Sequence, residues 1–309
     1  MSKYSNEIKV SICCVTYNHA KFIEQCIVGF ISQITNFKFE IIIHDDASDD
    51  ETSEIIKKCL IEYPNIIIPI LQVENQWMKY GLNPLINYVI PRAKGKYIAL
   101  CEGDDYWTDP YKLQKQVDFL EANPDYSICW GGYSELHMSN NQLIKPQWKD
   151  ELVGDHEINL ENVFSPYCTL TFTALFRSNC LNTVRINEFN HFRDNTIYIQ
   201  CLIQGKGYLI NSDFGVYRIH EGGVYSALSD FEKSSSSYLN IREALSKING
   251  SRSKNLVEIK KQLIKMTLER LPKKLFYQKI HFLYYGMIEL GIVGISKIMI
   301  DRISKRTKS

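Results

Sequence analysis

The first 130 residues alternate short β-branched runs with amphipathic stretches, and no other feature of the chain narrows its fold as far. Lys9 to Val15 reads as a buried strand, and Ile23, Ile27, Phe30 and Ile31 then mark one helix face. Phe39 to His44 is a second strand, and Ser48-Asp-Asp-Glu51 is a capping box for a helix running to about Leu60. Ile66 to Leu71, a helical stretch from Asn83 to Arg92, and a strand from Tyr97 to Cys101 repeat the pattern. Asp109-Pro110 then offers an N-cap and a first-turn proline to a helix with Leu113, Val117 and Leu120 on one face. Strands and helices in this order predict an α/β/α sandwich on a mostly parallel sheet. There are too few such units for an eight-stranded barrel.

Beyond Asp125 the pattern loosens. Tyr126 to Trp130, Thr171 to Phe176 and Gly207 to Ile210 read as strands, and Asn195 to Gln204 as a helix. The run Ser234-Ser-Ser-Ser237 reads as a hinge, which places a boundary near 235–250. Leu256, Ile259, Leu263 and Met266 then step at helical spacing.

Lys+Arg 36 against Asp+Glu 35 leaves a net charge of +1, but the charge is unevenly spread. From Arg242 onward sixteen basic residues face five acidic ones, so a basic tail follows an acidic body. No basic groove interleaved with aromatics is evident, and nucleic acid is not an expected partner. The nine cysteines form no CxxC pair, which gives a zinc site little support. The apolar run after Lys9 is too short for a signal peptide, so reduced thiols in a cytosolic protein are the expectation. The apolar stretch from Phe282 to Ile300 contains Glu289 and Lys297, and reads as lying on a surface and not as spanning a bilayer.

In an open α/β sheet, ligands gather at the carboxyl ends of the strands. Thr16-Tyr-Asn-His19 follows the first strand, and Asp45-Asp-Ala-Ser-Asp-Asp50 follows the second. Glu102-Gly-Asp-Asp-Tyr-Trp107 follows the fourth. Carboxylates this dense repel one another unless a cation or a hydrogen-bonding ligand balances them. Oxygen ligands suit Mg²⁺ or Mn²⁺, which commonly also hold phosphate. Asp45–Asp50 reads equally as a capping turn; Glu102–Asp105 does not, because Asp109 already caps the next helix. Downstream, Phe192-Arg-Asp194 precedes a helix, and Tyr217-Arg-Ile-His-Glu-Gly-Gly223 ends in a glycine pair able to fold over a site.

Taken in order, Val10-Ser-Ile with Thr16-Tyr-Asn18, Glu40-Ile-Ile-Ile-His-Asp-Asp-Ala-Ser-Asp-Asp50 and Gly95 to Trp107 resemble the family 2 inverting glycosyltransferases. The continuation Thr108 to Glu121, Arg193-Asp194 and Tyr217 to Gly223 extends the resemblance over about residues 8–226. It implies a GT-A domain over 1–235, with a nucleotide-sugar half at about 8–125 and an acceptor half at about 126–226. Residues 236–309 form a basic helical extension. The resemblance implies that Tyr17 stacks on the donor base and Asp46 hydrogen-bonds it, with Thr16, Asn18 and Asp45 beside them. Asn75 and Lys94 would line the donor pocket. Glu102-Gly103-Asp104 matches the DXD motif, with Glu where Asp is commoner; Asp104 would hold a divalent metal, Mn²⁺ or Mg²⁺, and Asp105 would share it. Asp194 matches the general base. His220 matches a loop residue reaching the metal or diphosphate, with Arg218 beside it. Trp107, Thr171 and Thr173 are expected toward the acceptor.

The implied reaction moves one sugar from a nucleotide-sugar, UDP-linked by default, to a glycan or lipid-linked acceptor in surface polysaccharide assembly. The processive QxxRW sequence is missing after Asp194. Inversion needs one base and a stabilised leaving diphosphate, and no covalent enzyme intermediate. The basic tail suits an anionic membrane surface on the inner face of the cell membrane; helices packing on the acidic body and a homodimer interface are its other uses. Two competing readings are a sugar-phosphate nucleotidylyltransferase, whose glycine-rich loop is missing after the first strand, and a catalytically inactive nucleotide- or glycan-binding protein on the same fold.

Overall fold

The computed structural model describes residues 7–152, 154–164, 168–181, 189–223, 228–247, 254–272 and 280–306, with side chains to residue 300 except that of Asn255. The chain forms two compact units, Met1–Phe189 with Ile197–His220, and Asn190–Thr196 with Glu221–Ser309. The division after His220 falls earlier than the expected boundary near 235–250.

The first unit opens as the alternation predicts. β1 (Ile8–Thr16), α1 (Ile23–Ile31), β2 (Lys38–Asp45), α2 (Thr52–Glu62) and β3 (Ile67–Leu71) lead through α3 (Gln76–Tyr80) to β4 (Tyr97–Glu102). The expected helix at 83–92 is a π-turn over Leu85–Val89 running into a 3-10 turn, as Pro84 and Pro91 break regular pairing. β5 (Tyr106–Trp107) and α4 (Lys112–Ala122) follow, then β6 (Tyr126–His137), β7 (Gln142–Ile144), α5 (Trp148–Glu151), β8 (His156–Ile158) and β9 (Leu175–Arg177). α6 (Asp194–Gln204) leads into β10 (Lys206–Ile219).

The strands form a single sheet in the order β3-β2-β1-β4-β9-β6-β10-β5, with β7 added on β6 and β8 on β10. Pairing is parallel from β3 to β4. It turns mixed beyond β4, where β9 runs antiparallel to both its neighbours and β6 runs parallel to β10. Val10, Ile12, Ile41, Ile43, Ile98 and Leu100 are buried, as strands covered on both faces require.

β6 and β10 are far longer than their sequence suggests. The pair Gly131-Gly132 and the polar run Asn211-Ser-Asp213 read as loops, but β10 carries register shifts between Ile210 and Gly215 that let it continue. A Cβ at Gly131 would stand 2.0 Å from the Phe214 ring, so glycine there admits that ring to the core. The expected strand at 171–176 begins instead as a 3-10 turn over Thr171–Thr173, closed by Thr173 N–H and Oγ1–H on the Leu170 carbonyl.

The second unit is helical, with α7 (Asp230–Lys247), α8 (Lys254–Arg270) and α9 (His281–Arg306). Its core joins Phe231, Tyr238, Ile264, Leu268, Leu271, Phe282 and Ile298. Ser234–Ser237, expected as a hinge, lies inside α7. Ser234 and Ser235 are buried, and their hydroxyls fold back onto the carbonyls of Asp230 and Glu232 at 2.9 and 3.2 Å. α7 also holds segment 190–196. Glu243 accepts the main-chain N–H of Asn190 and His191 at 3.0 and 2.7 Å, and Asn240 donates to the His191 carbonyl and Thr196 Oγ1. Residues 248–253 and 273–279 of the basic tail lie outside the described residues.

Candidate active site

The parallel registers bring three loops together at one edge of the first unit. Thr16 pairs with Asp45, and Val15 with Glu102, so the carboxyl ends of β1, β2 and β4 stand side by side. β1 lies between β2 and β4, which leave in opposite directions. That is the switch point where a crevice opens.

The loops after β1 and β2 are zipped to each other. Main-chain N–H groups of Asn18, His19 and Ala20 donate to Ser48 Oγ, Thr52 Oγ1 and Asp50 Oδ2 at 2.8, 2.9 and 3.0 Å. Asn18 Oδ1 returns the contact by accepting Asp49 N–H at 3.0 Å. Asn18 adopts φ 55°, a left-handed turn that asparagine tolerates and that lets its side chain reach back. Tyr17 is left with 37 % of its surface exposed, a ring available for stacking.

Most of the acids after β2 are occupied by the fold. Asp45 is fully buried and accepts Ser48 Oγ–H and Ser53 Oγ–H, so it braces its own turn. Asp46 accepts the N–H groups of Gln76 and Trp77 at 2.9 and 3.1 Å, and so ties the start of α3 to β2. Asn75 is the N-cap of that helix: its Oδ1 accepts Met78 N–H at 2.7 Å and its Nδ2 donates to the Asp46 carbonyl.

The acids after β4 have different partners. Asp104 Oδ2 stands 3.2 Å from His220 Nε2 and 3.6 Å from His19 Nε2. Burial pushes its carboxyl up, but the His220 hydrogen bond and the His19 charge outweigh this and hold it below the usual range. Burial drives His19 below the ordinary imidazole value, against the pull of Asp104. Asp105 is buried, and its Oδ1 accepts Arg218 N–H at 2.9 Å. Burial first, then the charges of Asp104 and Glu102, raise its carboxyl well above the normal range. Gly103 is required by closeness: a Cβ would stand 2.5 Å from Thr16 Oγ1. That hydroxyl and His19 Nδ1 are buried with no hydrogen-bond partner among the described residues.

β10 brings the downstream motif here by pairing Gly215 with Trp107 and Val216 with Tyr106. The Phe22 ring packs on His220 at 4.8 Å and orients it. Arg218 is only 5 % exposed, its guanidinium 4.3 Å from the Tyr106 ring centre and 5.1 Å from that of Phe22. It donates to the Asp104 carbonyl at 2.5 Å and to Gln25 Oε1.

Four expectations need correction. Lys94 precedes β4 and its N–H donates to Ser11 Oγ and Glu40 Oε1, so it lies at the amino end of the strands, opposite the crevice. Arg218 is a strut beneath the acidic loop, not a cation presented to a diphosphate. Trp107 is buried in the core: its Nε1–H donates to the Phe172 carbonyl at 2.7 Å, and Lys112 Nζ sits 4.0 Å from its ring. Thr173 is fully buried and bonded within its own turn, whereas Thr171 is half-buried and accepts Tyr198 O–H at 3.3 Å. Conversely, the sequence shows His19 only as the last residue of Thr16-Tyr-Asn-His19 and gives no signal for Phe22. Asp194 belongs to the second unit as the first residue of α6.

Comparison with known proteins bears on the family and the fold. The Glycosyl transferase family 2 profile matches residues 11–181. An uncharacterised Mycobacterium bovis protein, Mb1547, is 30 % identical over 228 residues, 72 % of this chain; the match spans only 63 % of that relative's length. The Escherichia coli UDP-Glc:alpha-D-GlcNAc-diphosphoundecaprenol beta-1,3-glucosyltransferase WfaP is 28 % identical over 70 % of this chain and 79 % of its own. The crystal structure of S. aureus TarS residues 1–349 with UDP-GlcNAc superposes with a TM-score of 0.64 at 19 % identity, covering 88 % of this chain and 76 % of that one. The likeness to TarS shows that the fold is GT-A, and the profile match, which takes in β1 to β9 and the whole acidic loop, shows that this chain belongs to glycosyltransferase family 2.

Proposed function

We propose that this chain is a metal-dependent inverting glycosyltransferase that moves one sugar from a UDP-linked donor to a hydroxyl of a glycan or lipid-linked oligosaccharide, in surface polysaccharide assembly. The observation that carries the reading is the group Asp104, His220 and His19 beside the unpartnered Thr16 hydroxyl, at the switch point of the sheet. Tyr17 offers the base a ring on the same edge. The donor named for WfaP and the ligand bound to TarS support the choice of UDP.

One carboxylate and two imidazoles suit a first-row divalent ion. Among the described residues no group of three or more His, Cys, Asp or Glu side chains is arranged to hold a metal ion by itself. Asp104 and His220 would hold it, with His19 beside them and Asp105 bracing the loop from below. When bound, the ion neutralises charge growing on the leaving diphosphate. The protein's own part is to hold that charge fixed: Arg218 grips the Asp104 carbonyl, and Phe22 keeps the His220 ring in place. Asp194 is proposed as the base that takes the acceptor hydroxyl's proton, on the resemblance of Arg193-Asp194 to the family motif; the helix start it occupies also suits a carboxylate for purely structural reasons.

Incubation with a panel of nucleotide-sugars and Mn²⁺, following nucleoside diphosphate release, tests the reading. Release with a UDP-sugar that rises on adding undecaprenyl-diphosphate-linked sugar, and stops with chelator, is the expected result. Binding of UDP without turnover on any acceptor would favour the inactive binding protein.

A further inference from the structure

α9 has two apolar faces, and the helical unit uses only one. Phe282 and Ile298 enter its core, with Tyr285, Leu290 and Ile295 packed beside them. On the other face Tyr284, Met287, Ile288, Ile292, Val293 and Ile300 are exposed, Ile292 and Val293 to 75 % and 83 %. Met287 and Ile288 stand three and four residues from Tyr284 on the segment before Gly291, and Ile292, Val293 and Ile300 lie on the segment after it. A run of exposed apolar side chains of this kind marks an interaction surface.

We propose that this run docks on an anionic lipid bilayer, with α9 lying in the plane of the interface. Charge selects the occupant. The sixteen basic against five acidic residues from Arg242 onward complement anionic headgroups. A second copy would bring the same positive charge against itself. Lys297 stands exposed on the same helix, placed for the headgroup layer.

The geometry also decides between lying on the membrane and crossing it. His281–Ile300, with a mean hydropathy of 1.4, is long and apolar enough to span. Yet Phe282 and Ile298 are held in a protein core, and Glu289 is paired with Lys260 of α8 at 2.8 Å in mid-segment. Gly291, at φ 71° and ψ 170°, interrupts the helix between Leu290 and Ile292. A helix broken there would expose main-chain groups to hydrocarbon, whereas an interfacial helix leaves them in reach of water. The inference rests on the proposed function only for its purpose, which is to bring the site to a lipid-linked acceptor.

Sedimentation of the full chain with vesicles tests it, with no donor present. Binding is expected on phosphatidylglycerol-containing vesicles, weak on phosphatidylcholine alone, and weakened by salt. The pair Ile288→Asp and Val293→Asp should lower partitioning by about tenfold or more, with thermal unfolding unchanged. As a variant that keeps the run apolar, Ile292→Trp should retain binding and show blue-shifted emission on the anionic vesicles. Equal binding to both lipids, or none, overturns the proposal. So does a solution dimer that the Asp pair dissociates, which would assign the run to a second copy, or resistance to alkaline extraction, which would mean a span. Since the donor-induced thermal shift is read separately, loss of vesicle binding with that shift intact would sink the docking surface alone.

Discussion

Two acid-rich loops leave the strands that flank β1, and they do opposite work. After β2, Asp45, Asp46 and Asp50 are taken by hydroxyls and main-chain N–H groups, so the carboxylates hold turns and a helix start together. After β4, Asp104 meets two imidazoles at the crevice, with an unpartnered hydroxyl nearby. Acid density is the same signal in both. What separates a cap from a site is the partner: main-chain donors can be met by any fold, whereas imidazoles converging on one carboxylate oxygen are a more specific arrangement.

Substitutions should pull the two loops apart, the largest effect first. Asp104→Asn is expected to lower turnover by about 10³-fold or more while shifting Tm little, measured by donor-dependent diphosphate release beside thermal unfolding. A loss of folding instead would make Asp104 one more brace. Asp194→Asn extends the comparison to a third acid: a fall in kcat of about 10²- to 10⁴-fold, with donor binding by calorimetry unchanged, marks a base. If donor binding and kcat are both untouched, Asp194 is only a helix start. Asp46→Ala should act the other way and cost about 1–2 kcal/mol of stability in urea unfolding, because two N–H groups of α3 lose their acceptor. A full-stability Asp46→Ala with a raised KM would return Asp46 to the donor.

A further effect, read in stability alone, concerns a buried amine. Burial holds Lys112, against the Trp107 ring, at a pKa of about 7, down from 10.5. Below pH 7 the folded and unfolded chains both carry the proton, and the cost of the buried charge is fully present. Between about 7 and 10.5 only the unfolded chain holds it, so this residue adds stability as pH rises, by up to about 1.4 kcal/mol per unit. In Lys112→Met that rise should be lost, so that the parent gains stability relative to the variant in urea unfolding between pH 7 and pH 9. An identical pH slope in both would show that Lys112 keeps its proton in the fold.

The legible part of the molecule is the part written in local pattern. β1, β2 and β4 are β-branched runs, and Glu102-Gly103-Asp104 follows the last of them directly, so the strand and its loop could be read together. β6 and β10 could not, because Gly131-Gly132 and Asn211-Ser-Asp213 are loop-like until a bulged partner strand is present to absorb them. Side-chain direction was equally hidden. Arg218 and Trp107 stand in the right motifs, yet one is clamped between rings and the other is in the core. Lys94 lies close to Glu102 in sequence and at the opposite end of β4 in space. His19 carried no signal of its own, because its partner Asp104 is distant in sequence and meets it only through the pairing of β1 with β4.

The central claim is that the β4 loop, and not the β2 loop, is where a nucleotide-sugar and its ion are held. Thermal unfolding of the parent, Asp104→Ala and Lys94→Ala with UDP-sugar, each with Mn²⁺ or chelator, tests it most directly. Ligand at about 100 times its Kd should stabilise the parent by about 2.7 kcal/mol. The account predicts a Mn²⁺-dependent shift in the parent and in Lys94→Ala, lost in Asp104→Ala. A shift that survives in Asp104→Ala, or disappears in Lys94→Ala, would contradict it.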